Sequence, residues 1–275
     1  MKPDARRPHA RLGFRPAEGA RQTHGVGETV TGRVLRVLAA FTAERPELGL
    51  TELSRRANLP LTTAHRLVSE LAEWGALERG TDGRYRIGLR LWEVGALAPR
   101  GLGLRESAMP FLEDLYEVTR QNVQLAVLDG TEVVYLERIS GRGAVNVITR
   151  VGGRLPLHAT GVGLVLLANA DPELQEQVLA APLKRYTAKT MCDPGEVRRA
   201  LAEVRRTGVA VSDGQIELIA LSIAAPVHGP RGDVVAALSV VVPAETSDAR
   251  AYIPVVRAAA RGISRTLGAP EPRHR

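Results

Sequence analysis

Three groups of residues have types and spacings that could do chemistry. The first is Thr62-Thr63-Ala64-His65-Arg66 with Ser69 close behind, flanked by Arg55 and Arg56 upstream and by Arg84 and Arg86 downstream. Hydroxyls, an imidazole and guanidinium groups can donate to phosphates and to base edges, and Arg66 can reach a guanine or a phosphate. The second is Thr160-Gly161-Val162-Gly163, which precedes an apolar run. Glycines let a ligand approach the backbone, and the free N–H groups at a helix start attract anions, so a small carboxylate is the natural guest. The third is His158 with Cys192 and Asp193, the residue types of a Cys-His-Asp nucleophile set. Such a set needs a base within hydrogen-bond reach of an activated thiol. Nothing in the spacing supplies one, so an ordinary thiol and a structural histidine account for these residues. Of the six histidines, His9, His24 and His274 lie near the chain ends, and no paired ligand spacing links the rest. No catalytic residue, metal or cofactor is expected.

The first group needs a helix to present it. Leu61, Ala64, Leu67, Val68, Leu71 and Trp74 fall on one face of a helix over 61–74, stopped by Gly75. Thr62, Arg66 and Ser69 then cluster away from that face, with Thr63 and His65 flanking it. Two helices are expected upstream. One runs from Thr29 to about Glu44 and is broken by Arg45-Pro46-Glu47, and the other runs from Thr51, as N-cap, to Ala57. Downstream, Leu77–Arg79 and Arg84–Ile87 read as a hairpin around Thr81-Asp82-Gly83, with Tyr85 and Ile87 on one side and Arg84 and Arg86 on the other. Three helices followed by a basic-edged hairpin is the winged helix-turn-helix order, whose third helix enters the major groove of duplex DNA. A small helical domain that docks protein has the same pattern.

The second group requires a different frame. A helix over 89–98 closes at Pro99, and another is expected over 105–120. Strands are expected at 123–128, 132–139, 145–148, 222–227 and 234–242. Helices are expected at 161–170, from Asp193 to Gly208, and at 249–267. Antiparallel strands flanked by helices make this an α+β domain. The organisation expected is a disordered basic tail over 1–25, a DNA-binding domain over 26–88, a linker helix and hinge over 89–104, an effector-binding domain over 105–268 and a tail over 269–275.

Composition sets the class. The chain has 275 residues, 44% of them hydrophobic and only 4% aromatic, so its cores must be built from Ala, Val and Leu. That apolar content excludes a chain disordered over most of its length. One cysteine excludes an internal disulfide framework. No run approaches the ~18 apolar residues of a membrane span, and no signal peptide is visible, so a cytoplasmic protein is expected. The formal charge is +7. Residues 1–24 hold six basic and two acidic groups, whereas residues 93–275 hold 21 and 20. A basic front end and a nearly neutral back end suit a polyanion partner at the N-terminal side.

The run from Leu50 to Leu67 (LTELSRRANLPLTTAHRL) and the closing Gly83-Arg84-Tyr85-Arg86-Ile87-Gly88 resemble the winged helix-turn-helix of IclR-family transcription regulators. Many members carry a basic residue where this chain has Leu61, so one phosphate contact is missing. Arg154–Gly163 (RLPLHATGVG), Ser222–Val227 (SIAAPV) and Val235–Val240 (VAALSV) resemble the family's effector domain. The resemblance covers about residues 26–268. It implies an N-terminal winged domain, a linker helix and a GAF-like sensor domain, acting as a homodimer or a dimer of dimers on an operator. It further implies effector contacts from the backbone of Gly161 and Val162 and from the side chains of Ser212, Ser222, Ser239 and Val241. Ser212 stands where an acidic residue is frequent, with Asp213 adjacent. Val241 stands where a polar residue can occur, and Leu164 replaces the usual Lys. These departures make the pocket more apolar, so the expected effector is larger or more aromatic than a two- or three-carbon acid. In this reading effector binding alters operator affinity by linkage. The other reading is a small-molecule-binding module whose helical front end docks protein without specific DNA binding.

Overall fold

The computed structural model describes residues 29–42, 44–98, 102–141 and 143–270. The tail expected over 1–25, part of the hinge and residues 271–275 lie outside the described residues. The chain divides into two units between Ala96 and Leu97, within the segment read as linker and hinge.

The first unit opens with α1 (Val30–Ala39), capped by the Thr29 hydroxyl, which accepts from the Gly32 N–H at 3.0 Å. A two-residue strand, β1 (Glu47–Leu48), follows. Next comes α2 (Leu50–Arg56), which starts two residues earlier than Thr51 would set as a cap. Gly49 holds the cap position, and the Glu52 carboxylate takes its N–H at 3.3 Å. Asn58, at φ 52°, turns the chain into α3 (Leu61–Trp74), and Gly75 ends that helix in the left-handed region at φ 87°. Then come β2 (Leu77–Arg79), β3 (Tyr85–Ile87) and α4 (Leu89–Ala96). The sheet order is β1-β3-β2, all antiparallel. Leu48, Leu53, Leu67, Val68, Leu77 and Tyr85 pack with Val37 into one core. Ile87, expected beside Tyr85 on the covered side, is 42% exposed at the strand's end. Strand β1 was not foreseen, because two residues beside Pro46 carry no alternation.

The second unit contains α5 (Leu102–Thr119), β4 (Asn122–Asp129), β5 (Glu132–Ile139), β6 (Arg154–Pro156), α6 (Gly161–Ala168) and α7 (Pro172–Ala180). It continues with α8 (Pro194–Thr207), β7 (Ala210–Asp213), β8 (Ala220–His228), β9 (Val234–Pro243) and α9 (Ala249–Thr266). One antiparallel sheet runs in the order β6-β5-β4-β9-β8-β7. Period-2 alternation sends Val123, Leu125, Ile223, Leu238 and Val240 to one face, where Leu112 of α5 and Val256 and Ile263 of α9 cover them. The other face carries Ala126, Tyr135, Ala210, Ala224 and Ala237 under α6 and α8. All eight residues of α6 are buried, which explains why its sequence is apolar on every side.

Residues 145–148 are not a strand. Their backbone groups are taken by side chains instead: Asn122 Nδ2 donates to the Val145 carbonyl at 2.7 Å, and the Ile148 N–H donates to Glu217 at 3.1 Å. The segment is a strap across the sheet rather than part of it.

Candidate functional site

The first candidate site is the outer face of α3. The core takes Ala64, Leu67 and Val68, which leaves Thr62, His65, Arg66 and Ser69 exposed on the far side and Thr63 half-buried at the edge. Arg66 pairs with Glu70 one turn along at 2.8 Å, both side chains being more than half exposed. Such a pair contributes little, about 0–1 kcal/mol, so the guanidinium is available to a stronger anion.

The flanking arginines behave differently from one another. Arg55 is exposed and has no polar partner among the described residues. Arg56 donates through Nε to the Ala40 carbonyl at 3.1 Å, while Arg36 donates to the Ala57 carbonyl at 2.9 Å. The two bonds tie the ends of α1 and α2 together, so Arg56 is an anchor of the helix pair as well as a surface cation. In the hairpin, Arg84 donates to the Glu47 carbonyl at 3.0 Å and to the Glu52 carboxylate at 3.3 Å. Arg86 grips Glu78 through Nε and a terminal nitrogen at 3.0 and 2.9 Å. The Glu78 carboxyl is held below the usual carboxylate range by the Leu89 N–H and by Arg86. Both wing arginines therefore already face a carboxylate, a pairing the sequence reading did not include.

The second candidate site is a cavity between the sheet and the start of α6, with about 390 Å3 of unfilled space including its mouth. Thr160 caps α6 by accepting from the Gly163 N–H at 3.1 Å. The N–H groups of Gly161 and Val162 have no acceptor among the described residues. A Cβ at Gly161 would sit 2.6 Å from Ser222 Oγ, so the glycine is what brings the helix start against β8. At Gly163 a Cβ would stand 2.4 Å from both the Leu157 carbonyl oxygen and Thr160 Oγ1.

Thr160, Gly161, Ser212, Ser222 and Val241 line the cavity. Ser212 Oγ donates to the Ala159 carbonyl at 3.2 Å. Val162 and Gly163 are buried in the helix and are not part of the wall, so only backbone could act there. Ser239 is fully buried, and its hydroxyl has no partner. It is not part of the cavity wall and pairs in register with Gln124 on β4 and Ala224 on β8. Asp213 is not brought to the cavity. Alternation along β7 turns it away from Ser212, and its carboxylate pairs with Lys189 at 2.8 Å.

Five polar lining residues were missed: Gln124, Tyr135, Thr149, Gln215 and Glu217. Gln124 Nε2 donates to Thr149 Oγ1 at 2.6 Å, and Arg138 donates to the Thr149 carbonyl at 2.9 Å. Burial pushes the Glu217 carboxyl up, against the Ile148 N–H and the nearby Arg138 charge. Burial also pushes the Tyr135 phenol well above its ordinary range. A polar residue on the buried face of a strand otherwise filled with Val and Ala, such as Gln124, is the signal that could have found this wall.

His158 is buried, and its Nε2 lies 3.1 Å from the Lys184 carbonyl. That is a structural contact. Among the described residues no group of acidic, histidine or cysteine side chains is placed to hold a metal ion, and no helix is long and apolar enough to cross a membrane.

Comparison with known proteins agrees with both units. The model of the IclR helix-turn-helix domain matches residues 30–80, and that of the bacterial transcriptional regulator IclR C-terminal domain matches residues 98–265. The HTH-type transcriptional regulator XynR of Escherichia coli is 32% identical over 86% of this chain and 96% of its own. The HTH-type transcriptional regulator BhcR of Paracoccus denitrificans is 32% identical over 94% of this chain and 92% of its own. Among solved structures, an IclR homolog from Microbacterium hydrocarbonoxydans complexed with 4-hydroxybenzoate is 43% identical, with a TM-score of 0.84 over 87% of this chain and 99% of that one. An N-terminal helix-turn-helix, an α+β effector domain and relatives named as regulators rather than enzymes lead to one conclusion: the chain belongs to the IclR family of transcriptional regulators.

Proposed function

We propose that this regulator binds operator DNA through the exposed face of α3, and that an aromatic carboxylate held in the second unit controls its operator affinity. The polarity of the cavity carries the reading. One end offers the unpaired N–H groups of Gly161 and Val162 beside the Ser222 hydroxyl, a set of donors suited to a carboxylate. The other end offers Gln124, Thr149 and Glu217, which can accept as well as donate. Ser222 on β8 and Gln124 on β4 are separated by β9 and offset by two residues in register, which puts them about 12 Å apart. A two- or three-carbon acid reaches only one end, whereas a ring with a carboxylate and an opposite polar group reaches both. The 4-hydroxybenzoate held by the Microbacterium relative has that form.

Thr62, His65, Arg66 and Ser69 read base edges and phosphates, with Thr63 at the rim and Arg55 on the backbone. Arg84 and Arg86 exchange their carboxylate partners for phosphates when DNA arrives. One winged domain reads few bases, so the acting species is a dimer on a two-fold operator in the cytoplasm. The exposed Leu89, Trp92 and Val94 of α4 supply apolar surface for that assembly.

Calorimetric titration of the full chain with 4-hydroxybenzoate, benzoate and pyruvate tests the effector class. The expected order of affinity is 4-hydroxybenzoate, then benzoate, then pyruvate. Tight pyruvate binding without benzoate binding would overturn it.

A further inference from the structure

The sheet face opposite the cavity carries a second concave feature, a groove between α9, β8 and the turn after α8. Its unfilled space, mouth included, is about 1830 Å3, against about 390 Å3 for the cavity. Arg257, Arg261 and Arg265 stand along it at i, i+4 and i+8 on α9. They form one row spanning about 12 Å of helix. Like charges at that spacing disfavour a helix. Arg265, in the last turn, is compensated by the helix dipole, but Arg261 and Arg257 lie further back than that effect reaches.

Among the described residues no carboxylate relieves the row: no aspartate or glutamate lines the groove, and the nearby Asp233 is held by Arg231 at 3.6 Å. Arg257 is bonded to the Thr207 carbonyl oxygen, which fixes its guanidinium at the groove's end. Arg261 and Arg265 have no polar partner among the described residues. Between the arginines the walls are apolar, formed by Ala225, Pro226, Ala258 and Pro270. Guanidinium forks favour phosphate and carboxylate oxygens in bidentate geometry, and two free forks beside a third fixed one call for more than one negative charge. A concave groove with apolar walls suits a compact ligand with a flat ring better than the convex surface of a duplex.

From this juxtaposition of an uncompensated arginine row with an apolar groove, we infer a second ligand site for a phosphorylated small molecule of the nucleoside diphosphate kind. It lies on the opposite sheet face from the carboxylate cavity and is independent of it.

The test is calorimetric titration of the full-length protein with ADP and, separately, with inorganic pyrophosphate, in low salt without magnesium. Wild type is expected to take up one ADP per chain, more tightly than pyrophosphate because the apolar walls add to the charge. Arg261→Gln/Arg265→Gln should weaken ADP at least tenfold with an unchanged melting curve. Arg261→Lys/Arg265→Lys should fall between the two, since it keeps the charge and loses the fork. Absence of binding by wild type at millimolar ADP overturns the inference, and so does equal binding by the glutamine variant. Loss of non-specific duplex binding in the glutamine variant, with no ADP bound by wild type, also overturns it and makes the row a DNA-facing surface.

Discussion

Gly161→Ala separates the two roles of the α6 start, folding and ligand binding. The added methyl would stand 2.6 Å from Ser222 Oγ, 3.2 Å from its Cβ and 3.4 Å from the Ala224 Cβ. The first contact is relieved by rotating a hydroxyl. The second needs a shift of a few tenths of an ångström. Gly161 is not among the positive-φ residues, so alanine is not strained there and gains about 0.4–1 kcal/mol by restricting the unfolded chain. These effects oppose each other, and the net change in stability should stay within about 1 kcal/mol. Effector binding has no such compensation. The methyl displaces the Ser222 hydroxyl from the carboxylate, and a hydrogen bond to a charged group is worth about 1.5–3 kcal/mol. That is a loss of roughly 10- to 100-fold in affinity. Operator binding without effector should be unchanged. The assay is titration with 4-hydroxybenzoate beside a thermal melt. An affinity within twofold of wild type, with the fold intact, would refute the placement of the carboxylate at this helix start.

Arg66→Ala should cost ~1–3 kcal/mol at particular operator positions if the guanidinium reads a base, as measured by binding to a set of single-position operator variants; an equal loss at every position would reassign it to a phosphate. Arg84→Ala should flatten the salt dependence of operator binding by about one phosphate contact, and an unchanged slope removes the wing from the interface. Leu67→Ala, at a fully buried position of the first unit's core, should destabilise that unit by about 2–5 kcal/mol and abolish operator binding while 4-hydroxybenzoate still binds; loss of both in a melt resolved by unit would contradict independent folding. His158 and His228 are both pushed down by burial, so the unfolded chain takes up their protons first on acidification. Stability should therefore be constant above about pH 6.5 and fall below it, and His158→Gln should reduce that fall.

Helices with punctuation at both ends were legible. α3 sits between Leu59-Pro60 and Gly75, and α8 sits between Asp193-Pro194 and Gly208; both have the bounds their signals set. α7 begins at Asp171-Pro172-Glu173, the same kind of signal as α8, and should have been read. The short strands β1, β6 and β7 were not legible, because two to four residues are too few to show a period. The strap over 145–148 was misread because Val145-Asn146-Val147-Ile148 has strand-forming residues, yet its backbone partners are side chains far along the chain. The same limit applies to the sites. Helix periodicity placed the exposed face of α3, and the glycine spacing placed the start of α6. The paired state of Arg84 and Arg86, the outward turn of Asp213 and the Gln124–Thr149 wall depend on which strands become neighbours, and no local pattern records that.

The account stands on coupling between effector and operator. The most direct test takes an operator selected from random sequence by the purified full-length protein. Operator affinity is measured with and without saturating 4-hydroxybenzoate, and 4-hydroxybenzoate affinity is measured with and without operator. Linkage requires both ratios to be the same factor, and a coupling of about 1–3 kcal/mol makes that factor about 5–150. Equal ratios in that range are the predicted result. Tight ligand binding that leaves operator affinity unchanged would contradict the account.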